Sequence, residues 1–242
     1  MSQSSTLLEL LASRVEARDL QQTFPFFTAP REALKHIGED PLVWDRIMRR
    51  MQVPLGESAK PLGTGGHGIV FQIGDRALKL TDDPVEASAA VILKKRPMAE
   101  AYHVFDVFSV MLPTDLIRSP EGKRYCIVTE VLVPPAANWK RLVGYWERWA
   151  RGEVVLTPDN VQDFLAEATD NDITFNRDAM EWLMRAAKNL TDRKILNRDL
   201  HLSNLMARPS GEQVLIDFGH FSVVPQKRIP TAQTLDWPKP AC

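Results

Sequence analysis

Asn197-Arg198-Asp199-Leu200-His201-Leu202-Ser203-Asn204, followed downstream by Ile216-Asp217-Phe218-Gly219, is the stretch on which the reading of this 242-residue chain turns. Asp199 and Asn204 lie five residues apart, after the strongest amphipathic helix in the sequence and before a short strand-like run. A carboxylate and an amide that can bind metal therefore share one loop. Asp217 comes 13 residues after Asn204 and ends a second strand-like run. With Gly219 two residues on, its carboxylate can project into a cleft. The preceding helix spans Arg177–Asp192, with Met180, Leu183, Met184, Ala187 and Leu190 as its expected apolar face. The two strand-like runs are Leu205–Ala207 and 213–216, joined by a turn at Pro209-Ser210-Gly211.

Toward the N-terminus the texture becomes that of a small β-rich unit. Gly68–Ile73 and 76–80 are Val- and Ile-containing runs separated by Gly74-Asp75, a hairpin signal. Before the first run stands Gly63-Thr64-Gly65-Gly66-His67-Gly68, followed by Val70. Glycines so spaced let backbone N–H groups approach phosphate oxygens, although a tight turn alone explains the pattern equally well. Lys79 sits inside the second run, where its charge is costly without a partner. Asp83 as N-cap and Pro84 at the first helical position open a helix through Lys95 that carries Glu86. Glu86 is the expected partner of Lys79, with Glu100 as the fallback. Two more strands are expected at 104–110 and 124–132, and helices at 138–151 and 159–167.

Residues 6–50 show helical spacing broken at Gly38 and Pro41, expected as an extension packed on the unit behind it. The last 20 or so residues, with Pro225, Pro230, Pro238 and Pro240, read as irregular. Thirty Lys and Arg against 31 Asp and Glu argue against a dedicated nucleic-acid binder. Two cysteines, Cys126 and Cys242, make neither a disulfide framework nor a zinc spacing. The N-terminus lacks a basic signal-peptide start, and no apolar run nears the roughly 20 residues a membrane span needs. A soluble cytoplasmic protein with no membrane partner is expected, in a bacterial cell or a phage-infected host.

The order of glycine-rich loop, strand lysine, helix glutamate, Asp-x-x-x-x-Asn loop and Asp-Phe-Gly resembles the protein-kinase signature set, across about residues 60–220. The resemblance implies an α+β, bilobal protein-kinase-like fold with a β-rich N-lobe and a reduced, mainly helical C-lobe. Its parts would be a helical extension (1–52), the N-lobe (53–133) and a truncated C-lobe (134–242). It also implies ATP and Mg²⁺ as cofactors. Lys79 would hold the α/β-phosphates and pair with Glu86, Asp199 would orient the acceptor hydroxyl, and Asn204 and Asp217 would hold the metal. Gly63, Gly65, Gly66 and Gly68 would cover the phosphates. Val70, Ala77 and Met206 would sandwich adenine, with Thr129 as gatekeeper and Glu130 to Leu132 opposite the adenine edge.

The chain also departs from that pattern. Asn197 stands where protein kinases commonly carry His, and His201 where serine/threonine kinases usually carry Lys. Asp-Leu-His-x-x-Asn is more similar to the loop of aminoglycoside and choline phosphotransferases and of compact kinases encoded by bacteriophages. His201 reads equally as a loop residue bonding the backbone or as a catalytic one. Arg198 reads as a structural salt-bridge partner or as a contact for a phosphorylated residue. Only 23 residues follow Gly219, with no Ala-Pro-Glu signature. The expected activity is phosphorylation of serine and threonine hydroxyls on proteins. A small-molecule kinase and a nucleotide-binding pseudokinase are the alternatives.

Overall fold

The computed structural model describes residues 31–53, 57–65, 67–111, 123–219 and 233–235. The chain is α+β. Helices α1 (Arg31–His36) and α2 (Pro41–Arg50) precede strands β1 (Ala59–Gly65), β2 (Gly68–Ile73) and β3 (Arg76–Thr81). Helix α3 (Pro84–Lys95) leads to β4 (Val104–Met111) and β5 (Lys123–Glu130). Helices α4 (Ala137–Ala150), α5 (Pro158–Asp170) and α6 (Arg177–Asp192) follow. A one-turn 3₁₀ segment at Leu202–Asn204, the hairpin β6 (Leu205–Ala207) and β7 (Gln213–Leu215), and β8 (Gln233–Leu235) complete the order. No helix of the described residues is long and apolar enough to cross a membrane.

The five strands β1 to β5 pair antiparallel in the order β1-β2-β3-β5-β4, and β8 joins the far edge parallel to β4. Strand alternation gives this sheet two different faces. Ile69, Phe71, Ile73, Leu78, Leu80, Phe108, Cys126 and Val128 belong to one apolar cluster with Val43, Trp44, Ile47 and Met48 of α2. Trp44 meets Phe71 edge-on at 6.0 Å between centroids. Helix α2 thus packs on the sheet, while residues 1–30 of the expected extension lie outside the described residues, and Trp44→Ala should cost about 3–5 kcal/mol. Asp106 ties the same helix to the sheet, accepting from Arg50 at 2.8 Å and from Lys94 of α3 at 2.6 Å.

Val104, Val107 and Ile127 join a second cluster, with Ala89, Ala90 and Leu93 of α3 and the buried faces of α4, α5 and α6. That cluster runs continuously across residue 133. Its aromatic centre is Trp146, with Phe164 at 5.4 Å and Trp149 at 5.3 Å.

Several expectations are corrected. The buried stripe of α6 is Ala179, Trp182, Leu183, Ala186, Ala187 and Leu190, leaving Met180 and Met184 only half-buried. Trp182 turns inward because its indole N–H finds the Gln213 carbonyl at 2.9 Å. Strand β5 ends at Glu130, short of 132, where the chain leaves the sheet. The C-terminal region is not wholly irregular, since Gln233, Thr234 and Leu235 pair with Phe108, Ser109 and Val110. Strand β1, with Pro61 and two glycines, lacks apolar alternation. It survives as an edge strand with a register shift between Pro61 and Gly63.

Candidate active site

On the sheet face turned toward α3, Val70 lies opposite Lys79 and Ala77 lies opposite Thr129. Two residues apart on β3, Ala77 and Lys79 project to the same side. Helix α3 is aimed at this face by its cap: the Asp83 carboxylate accepts from the amides of Val85 (2.7 Å) and Glu86 (3.4 Å). Glu86 is 1% exposed and meets the Lys79 ammonium at 2.5 Å. Glu100, the fallback partner, is buried elsewhere and holds Arg185 (3.1 Å) and Asn189 (2.9 Å).

Lys79 also reaches Asp217 at 3.3 Å. Burial works against its charge, but Glu86 first and Asp217 second overcome this and hold the ammonium above its ordinary value. Burial pushes the Glu86 carboxyl up to about 7, with Lys79 opposing the rise. The Thr81 hydroxyl also bonds this carboxylate. Tyr102, whose ring lies 5.6 Å from that of Phe218, is raised well above its usual range by burial and then by Glu86 and Asp217.

Asp217 has φ of 58°, the left-handed region, which Asp tolerates better than most side chains. Gly219 beyond it is required by packing. A Cβ there would collide with a carboxylate oxygen of Asp83, so this turn lies directly against the cap of α3.

The loop between α6 and β6 carries the second half of the cluster. Asn204 donates its amide to the Asp199 carboxylate at 3.0 Å and to its carbonyl at 2.9 Å. Asn197, 1% exposed, accepts from the Asp199 amide at 2.7 Å, while its own carbonyl takes the Leu156 amide at 2.7 Å. Asn197 is therefore an anchor of this loop. His201 bonds the backbone as one of its two readings has it, Nδ1 accepting from the Ser203 amide at 3.2 Å, and its Nε2 lies 3.5 Å from the Asp199 carboxylate. Arg198 is exposed and makes no ion pair among the described residues. The two halves are joined where Ile216 donates its amide to the Asn204 carbonyl at 2.9 Å, one residue before Asp217.

Among the described residues no three His, Cys, Asp or Glu side chains form a metal-binding group. Asn204 and Asp217 nevertheless suit a hard cation, because the Asn204 amide nitrogen is committed to Asp199 and leaves its oxygen as acceptor. The Asp217 carboxylate is 44% exposed. Mg²⁺ commonly takes one or two such oxygens and completes its shell with water or phosphate.

Of the glycines expected over phosphates, Gly66 lies outside the described residues. Gly65 closes β1 opposite Gly68. A Cβ on Gly63 would meet no protein atom within 4 Å, whereas at Gly68 it would collide with the Leu80 carbonyl. Backbone crowding alone therefore requires glycine at 68. Thr129, Leu132 and Met206 are half-buried beside the end of β5 and in β6. The Glu130 carboxylate is held by Arg208 and by the His103 amide, at 3.0 and 2.7 Å. Sequence spacing gave no sign of Arg208, whose main partners lie far along the chain, whereas the Asn197 side chain bonds an amide only two residues on.

Two cavities lie apart from these residues. One of about 330 Å³ is lined by Tyr145, Arg148, Trp149, Phe164 and Glu167 among others, the other of about 310 Å³ by Glu100, Trp139, Trp182 and Glu212 among others. The sequence matches no protein-family model, and no curated protein matches it.

Proposed function

We propose that the chain is an ATP- and Mg²⁺-dependent phosphotransferase of protein-kinase-like, bilobal design, acting on serine and threonine hydroxyls of proteins. One observation carries the reading. Lys79, Glu86 and Asp217 form a continuous ion cluster, and the bond from Ile216 to Asn204 joins it to Asp199 and Asn204. Five polar groups come from four separate elements, and two of them, Lys79 and Glu86, are held there against the cost of burying their charges, which marks a candidate site.

In this reading Glu86 holds the Lys79 ammonium toward the α- and β-phosphates of ATP. Gly63, with open space above it, lets β1 approach them. Asp199 accepts a hydrogen bond from the acceptor hydroxyl and orients its oxygen for in-line attack. Asn204 fixes the Asp199 carboxylate through its amide nitrogen while Asn197 fixes the backbone beneath it. Magnesium bound by Asn204 and Asp217 would neutralise charge on the transferring phosphoryl group. Positioning and electrostatic stabilisation then supply the rate enhancement.

A small-molecule acceptor is the second reading. It is favoured by the aromatic and charged cavity on α4 and α5, because α4 packs against the Asp199 loop through Gly144 and Leu202. Incubation with γ-labelled ATP, for wild type and Asp199→Ala, tests both. Label on this or other proteins, lost in the variant, is the expected result. Label on small molecules alone selects the second reading. Nucleotide binding without any transfer would overturn both and leave a pseudokinase.

A further inference from the structure

Arg208 lies two residues after Met206 and spends its guanidinium on three separate parts of the chain. Nε reaches both Glu130 carboxylate oxygens, at 3.1 and 3.0 Å. Nη1 donates to the Ala99 carbonyl at 2.8 Å and more distantly to Glu212 at 3.4 Å. Nη2 donates to the Ala101 carbonyl at 2.9 Å. Both partners of the ion pair are largely shielded, at 17% and 19% side-chain exposure, so solvent screens it only in part. Glu130 in turn accepts the His103 amide at 2.7 Å.

These contacts link the two walls of the proposed adenine slot. Ala77 of the upper wall pairs with Thr129, and its neighbour Arg76 pairs with Glu130, in the β3–β5 ladder. Met206 of the lower wall precedes Ala207, whose amide and carbonyl exchange bonds of 2.8 Å with Val133 just beyond β5. Arg208 closes the loop between them, grasping Glu130 from the position just after the strand that carries the lower wall. We infer that Arg208 is a positioning residue for the nucleotide, fixing the gap between Ala77 above and Met206 below, a role that rests on the nucleotide reading given above. Lysine cannot take its place, because a single ammonium does not span a carboxylate and two divergent carbonyls as a planar fork does.

Calorimetric titration of the full chain with Mg-ATP tests this for wild type, Arg208→Ala and Arg208→Lys, with hydrogen exchange followed at the His103 and Val133 amides. Arg208→Ala should weaken ATP binding about tenfold or more, the equivalent of one charge-assisted hydrogen bond. Arg208→Lys should recover little of it, and the His103 amide should exchange faster in both. Turnover at saturating ATP should change far less than affinity. If the alanine variant does not fold, the lysine variant carries the test. Unchanged ATP affinity in variants with faster His103 exchange would overturn the positioning role while leaving the proposed function standing. A wild type that binds no nucleotide would overturn both.

Discussion

Replacing Lys79 by Met removes the ammonium 2.5 Å from a carboxylate that is 1% exposed, and the consequence should depend on pH in a defined direction. The Glu86 carboxyl, ordinarily near 4.5, is raised to about 7 in the folded chain. A group whose folded value is raised favours the native state at low pH, and that favour is lost as pH rises through the folded value. A shift of this size corresponds to about 3 kcal/mol, lost between roughly pH 4.5 and 7 in the wild type. Without Lys79 the carboxyl rises further, so the variant keeps losing stability above pH 7, where the wild type has levelled off. At pH 6 Glu86 is mostly protonated in both proteins, and the difference should be about 1 kcal/mol, one lost hydrogen bond. At pH 8.5 it should be about 2 kcal/mol larger, from the slope of about 1.4 kcal/mol per pH unit. Urea unfolding at the two pH values measures this, and Glu86→Gln in the Lys79→Met background should flatten the dependence. A destabilisation equal at both pH values, or larger at pH 6, would refute the reasoning.

Gly219→Ala should cost about 1–2 kcal/mol by pushing the Asp83 carboxylate off the α3 amides. In a double-mutant cycle with Asp83→Ala the two effects should be less than additive, and full additivity would show that the contact is not shared. Asn197→Ala leaves the Asp199 amide without its acceptor, so unfolding should show a loss of about 1–3 kcal/mol, together with reduced phosphotransfer. Asp106 is held below its ordinary value of 3.8 because Arg50 and Lys94 outweigh its burial. Its contribution is present above that value and lost as pH falls through the lower folded one. The stability gap between wild type and Asp106→Asn, followed by denaturation, should therefore be full at pH 7 and shrink in strong acid.

What was legible in the sequence is what is written at short range. Asp83-Pro84 announces its helix because the cap and the first helical residue are adjacent. Asp199 and Asn204 are five residues apart, so their sharing one loop follows from spacing alone, although the hydrogen bond between them does not. The Gly74-Asp75 turn fixes the β2–β3 register, and with it the side of the sheet that Lys79 occupies. What was not legible depends on residues far apart. Nothing near Glu130 in the sequence announces that Arg208, 78 positions later, holds its carboxylate. Gln233–Leu235 has no strand signature of its own and is ordered by the open edge of β4. The buried stripe of α6 shifts toward Trp182 because a carbonyl on β7 accepts its indole, a partner no periodicity reveals.

The claim that Lys79, Asp199, Asn204 and Asp217 converge on one magnesium-bound triphosphate is tested most directly by ATP titration with and without Mg²⁺, for wild type and Asp217→Asn. Asparagine also tolerates the positive φ of this position, so the substitution changes charge rather than backbone. The wild type should bind ATP about tenfold or more tightly with the metal than in chelator, as loss of one good charge-assisted contact implies, and Asp217→Asn should lose most of that difference. Wild-type affinity that is indifferent to magnesium, or an unchanged magnesium dependence in the variant, would contradict the account.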